Sequence, residues 1–443
     1  MLSPQDNELM CRVGPGTGMG DAMRRYWLPA LQSSDLPERN GEPKGVELLG
    51  ERFIAWRDEA GRPGLYAEAC LHRGASLMLA RAEGDGLRCI YHGWKFAVDG
   101  QVLETPNVAD PKFKERIKGR TFPVREAGGL LWVYLGPKAL QPEFPKWPWL
   151  DLPPAHCLTT VHIEECNFVQ VLEGLVDSSH LGLLHMDGMQ RTGSVDLAFA
   201  KGIESMQHDL APRFEVEDTD FGFHYAAIRQ IESAQGPRTE ARVAAFIAPC
   251  FVLNPNGDII TMVVPMSDER TAFFHAFWDV AQKINEEPLR SEHLRFVGLD
   301  TETLEGFGLT RDTLSRPDKP SRDNNFHQDR AAMRRGERWS GLPGIIEDDV
   351  AVCVSSGPLR DRTLEVLSPA DAAFNRLYRV LLKCATRARE GADPVGLDRP
   401  VDSTRIAGAN GVLTEGRSWR DLVPGHVALN APAPRQPSQA EAA

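Results

Sequence analysis

The chain has 443 residues, too many for one small domain, and predicts at least a second unit with its own core. Its formal net charge of −12 argues against nucleic acid or an anionic membrane as a partner. The opening Met-Leu-Ser-Pro-Gln-Asp-Asn-Glu has neither the positive nor the apolar region of a leader, and no apolar run reaches the length of a bilayer span, so a cytoplasmic protein is expected.

Residues 1–40 mix Gly14, Gly16, Gly18 and Gly20 with a helical pattern from Asp21 to Trp27. No strand precedes these glycines and no Lys-Ser/Thr follows, so a phosphate loop is not expected. The segment reads as one that docks on a later domain.

Residues 41–150 read as a small all-β domain. Phe53 to Trp56, Trp94 to Val98 and Leu130 to Leu135 are short apolar runs, and Asp99-Gly100 is a hairpin signal. Two loops in this domain stand out, Glu68 to Ser76 and Arg88 to Phe96. The first holds Cys70 and His72, the second Cys89 and His92, with 16 residues between the pairs.

Two thiolates and two imidazoles suit a tetrahedral zinc or a Rieske cluster, in which two His replace two Cys on one iron. Zinc sites mostly pair Cys with Cys and His with His. A Cys-x-His loop facing a Cys-x-x-His loop is the order a Rieske 2Fe-2S centre needs, one Cys from each loop on the inner iron and one His from each on the outer. Structural zinc is the competing reading. Cys11, Cys157, Cys166, Cys250, Cys353 and Cys384 have no paired spacing and read as small buried hydrophobes.

Pro142, Pro145, Pro148, Pro153 and Pro154 form a connector, and a second domain is expected over 151–425. Thr159 to Glu164 reads as a strand and a helix follows from Asn167. Alternating segments return at Phe221 to Arg229, Ala241 to Val252 and Asp258 to Val264, with Asn256-Gly257 as a hairpin turn, and Pro369 to Arg389 is helical. The fold class is α+β, an antiparallel sheet with helices beside the all-β domain. Residues 426–443 are rich in Ala, Pro and Gln and are expected to be disordered.

On the helix from Asn167, the residues Asn167, Gln170, Glu173, Asp177 and His180 fall on one face. A solvated face is the plain alternative, but this one lacks the Lys and Arg that usually accompany surface acids. His185 lies five residues after His180, and Gly182 between them permits the distortion that would turn both imidazoles to one point. Two His and a carboxylate with open positions make the facial triad of non-haem iron(II). The carboxylate is sought in Gly344 to Val352, with Asp349 favoured and Asp348 as runner-up; a helix cap is the alternative use of an acid there.

The chain resembles the Rieske non-haem iron ring-hydroxylating oxygenases of the large-subunit type, in the phthalate dioxygenase branch. The resemblance rests on the Cys70/His72/Cys89/His92 loops, the Asn167 to His185 helix, and the run Glu347 to Val352 followed by Ser355 to Glu365. It implies a Rieske domain on a helix-grip catalytic domain, assembled as a trimer or a pair of stacked trimers. Electrons would pass from the cluster of one subunit to the Fe(2+) of its neighbour through Asp177, with Asn167, Gln170 and Glu173 lining the active site. The implied partners are O2 and an NADH-dependent reductase carrying flavin and a 2Fe-2S centre. The implied reaction is cis-dihydroxylation of a phthalate-like or benzoate-like aromatic acid. Monooxygenation or O-demethylation of such an acid is the alternative, and a Rieske electron carrier is the non-enzymatic one. Relatives often hold carboxylates with arginines on the sheet, and Arg242, Arg213 and Arg229 are the candidates here.

Overall fold

Short apolar runs cut by turn residues pair as sheets, and the first third of the chain is built this way. Its strands are β1 (Trp27–Gln32), β2 (Lys44–Leu48), β3 (Glu51–Arg57), β4 (Pro63–Ala67), β5 (Arg81–Glu83), β6 (Gly86–Arg88), β7 (Lys95–Ala97), β8 (Val102–Glu104), β9 (Thr121–Phe122), β10 (Val124–Ala127) and β11 (Leu130–Tyr134). They form three sheets, ordered β1-β11-β10, β2-β3-β4-β9 and β5-β6-β7-β8. The structure is a computed structural model describing residues 2–189, 204–233, 236–423 and 425–426. The tail expected to be disordered lies outside these residues from position 427 onward.

Asp99-Gly100 turns β7 into β8, with Gly100 at φ +89°, a value that favours glycine. The segment 1–40 is divided. Helices α1 (Pro4–Cys11) and α2 (Gly18–Met23) precede β1, which pairs with β11 and so belongs to the first β unit. The helix expected over Asp21 to Trp27 begins earlier because the Thr17 side chain caps it by accepting from Gly20 N, and it ends before Trp27 enters β1.

The second unit has one antiparallel sheet made of β12 (Cys157–Glu164), β13 (Arg213–Asp218), β14 (Gly222–Ser233), β15 (Gly236–Ile247), β16 (Phe251–Leu253), β17 (Ile259–Ser267), β18 (Arg270–Trp278) and β19 (Ala409–Leu413). The order is β12-β18-β17-β16-β15-β14-β13, with β19 paired to β15. The run expected as one segment from Ala241 to Val252 is two strands. Pro249, which has no N–H for the ladder, lies between them. Asn256-Gly257 joins β16 to β17, as its dipeptide signals.

Helices of this unit are α3 (Phe168–Leu175), α4 (Leu181–Leu184), α5 (Met186–Met189), α6 (Leu289–Val297), α7 (Thr301–Gly306), α8 (Arg330–Arg335), α9 (Ile345–Ser355) and α10 (Ala372–Arg389). Helix α3 packs on β17 and α9, and α10 packs on α1 and α2. Residues alternate across the sheet. One face, carrying Ala226, Ile228, Ala241 and Val243, is closed by Trp419 and Val423 from the C-terminal segment. The opposite face carries Tyr225, Arg242, Phe273, His275 and Phe277, which look into a cavity. The six scattered cysteines are unpaired, five of them buried and Cys353 half-buried. Among the described residues no helix is long and apolar enough to cross a membrane.

Candidate active site

The β unit places Cys70 and His72 after β4, and Cys89 and His92 between β6 and β7. The two loops are near copies in backbone bonding. Cys70 N donates to Ala75 O and Gly74 N to Cys70 O; Cys89 N donates to Trp94 O and Gly93 N to Cys89 O. Gly74 and Gly93 both sit at φ +73°, which lets each chain turn back beneath its thiol. Both Cys are buried, and the His72 and His92 rings meet edge to face with centroids 4.5 Å apart.

Trp94, whose Nε1 donates to Asn107 Oδ1 at 2.8 Å, stacks on the His72 ring at 4.6 Å and fixes its plane. The Nδ1 atoms of His72 and His92 are buried without a hydrogen-bond partner. Two buried thiols and two imidazole nitrogens left unsatisfied fit the donor set of a Rieske cluster, since buried polar atoms are otherwise paired. Leu71, Ile90 and Tyr91 ring this tip and are about half exposed.

The second candidate centre forms where α3 ends. Asn167 caps α3 by accepting from Val169 N, and the helix stops at Leu175. Asp177 then makes a turn in which its Oδ1 accepts from Ser179 N and Oγ, both at 2.6 Å. The expected distortion therefore lies before His180. Gly182 has another reason to be glycine: a Cβ there would lie 2.3 Å from Met206 O.

His180, His185 and Asp349 converge, with ligand atoms all within 4.8 Å of one another. Asp349 Oδ1 is 3.7 Å from His180 Nε2 and 3.1 Å from His185 Nε2. Each imidazole has a carboxylate behind it. His180 Nδ1 is 3.3 Å from Asp177 Oδ2, and His185 Nδ1 is 3.3 Å from Asp348 Oδ2. A carboxylate behind a histidine fixes the tautomer that leaves Nε2 free as a lone-pair donor. Burial disfavours charge on His185, yet Asp349 and Asp348 outweigh it and raise its pKa to about 10. A site with this acid excess holds a cation readily, and two imidazoles with one carboxylate fit iron(II).

The cavity beside this triad has a volume of about 230 Å³. Asp177, His180, His185 and Asp349 line it, with Arg242, Tyr225, Thr261 and His275 from the sheet. Strand register separates the three candidate arginines. Arg213 pairs with Ile228 and so points to the face opposite the cavity, where its guanidinium meets Glu215. Arg229 is on the cavity side but spends its donors on Asp209 O, Ser178 Oγ and Ser178 O, which secures the turn carrying Asp177. Arg242 alone of the three lines the cavity, and its Nε and Nη1 have no partner among the described residues.

Asn167, Gln170 and Glu173, expected to line the active site, are absent from the cavity wall. Asn167 Nδ2 donates to Cys11 O and Asp268 O. Gln170 ties α3 to the end of α9, donating to Cys353 O at 2.8 Å and accepting from Arg360 N at 3.0 Å. Glu173 accepts from Arg360, from Arg362 Nε and, at 2.6 Å, from Tyr378 OH. This face of the helix meets the segment after α9, and the cations that answer its acid are Arg360 and Arg362. Missed in the sequence were the wall residues Glu164, Tyr225, Thr261, Phe273, His275 and Phe277.

The Arg362 side chain is fully buried, so Glu173→Ala would strand its charge; we expect a loss of about 3–5 kcal/mol of stability. Thermal and denaturant unfolding measure it. Unchanged stability with lost turnover would instead return Glu173 to the active site.

Family profiles cover both units. Residues 26–123 match a profile described as Rieske [2Fe-2S] domain, and residues 133–440 one described as LigXa C-terminal domain like. The chain is 34% identical over 429 residues to the phthalate 4,5-dioxygenase oxygenase subunit of Pseudomonas putida, covering 95% of this chain and 94% of the relative. It is 36% identical over 409 residues to the 3-chlorobenzoate-3,4-dioxygenase oxygenase subunit of Comamonas testosteroni, covering 90% and 92%. In fold it is similar to the solved structure of a Pseudomonas putida CBB5 NdmA mutant with theobromine, with a TM-score of 0.57 at 15% identity over 90% of this chain and 99% of that one. With thiols and imidazoles paired in one unit and two histidines beside an aspartate in the other, the chain belongs to the Rieske non-haem iron oxygenases, as an oxygenase subunit that uses a Rieske 2Fe-2S cluster and Fe(2+).

Proposed function

We propose that this subunit cis-dihydroxylates an aromatic carboxylate, taking electrons from an NADH-dependent flavin/2Fe-2S reductase, in the cytoplasm and in aromatic catabolism. Cys70, Cys89, His72 and His92 would hold the cluster, the thiols one iron and the imidazoles the other. His180, His185 and Asp349 hold Fe(2+), which when bound supplies the redox chemistry that activates O2 beside the substrate. Asp348 orients His185, and Asp177 orients His180.

The observation that carries the substrate class is Arg242. A buried guanidinium with two unsatisfied nitrogens is costly unless an anion completes it, and a carboxylate matches its fork. Burial and the nearby Arg229 lower its pKa to about 10, which leaves it charged at neutral pH. We expect turnover of benzoates or phthalates with a surrogate reductase, and Arg242→Met to raise KM by removing a charge-assisted bond worth about 1.5–3 kcal/mol. An uncharged arene turned over as well as any acid would overturn this reading. Chromatography of the products separates a cis-diol from the phenol or demethylated acid of the alternative reaction.

The electron path runs between subunits in this proposal, in a trimer or a stacked pair of trimers. No residue of either cluster loop lines the cavity among the described residues, so the chain's own cluster does not border its own candidate iron site. The half-exposed Leu71, Ile90 and Tyr91 around the cluster tip suit burial against a second copy.

A further inference from the structure

Strand β18 presents Phe273, His275 and Phe277 at every second position, so the three rings stand on the same face. They stack as a ladder. The His275 ring lies 4.2 Å from Phe273 and 6.0 Å from Phe277, tilted by 23° and 7°. All three line the cavity, and His275 is 6% exposed. Its Nδ1 has no hydrogen-bond partner among the described residues. Burial, with His162 close by, pushes its pKa well below the usual value, so the ring is neutral.

Its neighbours offer little competition. Thr261, directly across on β17, spends its hydroxyl on Val252 O at 3.1 Å and presents no free donor. His162, the cross-strand partner of Phe273 on β12, meets Glu164 at 3.1 Å; its Nδ1 and the hydroxyl of Thr160, across from His275, are buried without partners among the described residues, but neither residue lines the cavity. A histidine set into an aromatic ladder where a third phenylalanine would pack as well puts one polar point on an apolar wall. Arg242 is carried by β15, separated from β18 by β17 and β16 in the sheet order, and lines the same cavity.

We propose that His275 is a specificity-determining residue that hydrogen-bonds an uncharged polar substituent, such as a ring hydroxyl, on an aromatic monocarboxylate whose acid group meets Arg242. The proposal rests on the reading of the cavity as an aromatic-acid site and narrows it. Among the described residues Arg242 is the one arginine or lysine of the wall, whereas Glu164, Asp177 and Asp349 are acids. A second carboxylate would find no second side-chain cation on this wall and would face Glu164 and Asp177. A hydroxyl serves a neutral imidazole in either tautomer, since it both donates and accepts. The flanking rings would sandwich the arene beside it.

Isothermal titration of the purified oxygenase with benzoate, the three hydroxybenzoates and phthalate tests this without turnover. We expect one hydroxybenzoate to bind more tightly than benzoate or phthalate. His275→Phe, which keeps the ladder, should weaken that ligand by roughly three- to tenfold, the effect of one neutral hydrogen bond, and leave benzoate unchanged. His275→Asn, which retains a donor, should recover part of the preference. Equal weakening of benzoate and hydroxybenzoate in His275→Phe, an unchanged preference, or phthalate as the tightest ligand would overturn the proposal. Arg242→Met is read separately. If it alters the binding of no acid, the carboxylate reading fails, while the ratio of hydroxybenzoate to benzoate affinity in His275→Phe still decides the role of His275.

Discussion

Asp349→Ala is expected to empty the mononuclear iron site while the visible spectrum and the reduced-state EPR signal of the cluster remain unchanged. Asp349 is the carboxylate whose oxygen faces both imidazole Nε2 atoms, and no cluster-loop residue shares its cavity. Asp348→Ala should act differently. Its carboxylate lies behind His185 at Nδ1, so removing it frees the ring rather than deleting a donor. Loss of such an orienting partner costs about 10–100-fold in metal affinity. Iron analysis after dialysis against a graded chelator separates the two variants. An empty site in Asp348→Ala with a filled one in Asp349→Ala would exchange their roles.

The same pair shows what sequence can and cannot resolve. Adjacent acids on a helix differ by about 100° in direction, so Asp348 and Asp349 cannot reach the same atom of a neighbour. Which one faces the metal depends on how α9 is rotated against α3, and no local pattern in Gly344 to Val352 states this. The cluster loops were legible because each places its Cys and His within four residues, a distance over which loop geometry is local. Of the face expected over Asn167, Gln170, Glu173, Asp177 and His180, α3 carries only the part up to Glu173, since it ends at Leu175, and that part is turned away from the cavity. Spacing tells which side chains share a face and is silent on what that face meets. Here it meets Arg362, 189 positions later in the chain. The arginines follow the same logic on the sheet, where pairing register sends Arg213 to one side and Arg242 to the other. His275 did leave a signal, one polar residue in the alternation of Phe273 and Phe277.

Asp177→Asn is expected to keep both metal centres and the oligomeric state, yet to lower single-turnover product formation by orders of magnitude. Asp177 is not placed as a metal ligand: its Oδ2 faces His180 Nδ1, the nitrogen turned away from the triad. Its Oδ1 is held by Ser179, and the turn beneath is held by Arg229 through Ser178, so the carboxylate is fixed by contacts that do not involve His180 at all. Burial would raise its pKa, but the bond to His180 and the Ser179 donors prevail and hold it below the usual carboxylate value. An anion kept charged in a largely buried turn, with His180 on one side, is suited to accept an imidazole N–H from the cluster of a second copy on the other. Asparagine preserves the shape but has one oxygen where the carboxylate has two: kept toward His180 Nδ1 it still holds that ring's tautomer, while the charge and the second acceptor are lost. The prereduced variant should therefore retain its cluster signal and fail to reoxidise it when substrate and O2 are added. Rapid-quench product analysis beside stopped-flow absorbance of the cluster reads both events. Normal single turnover, or loss of iron from the site, would assign Asp177 to structure alone.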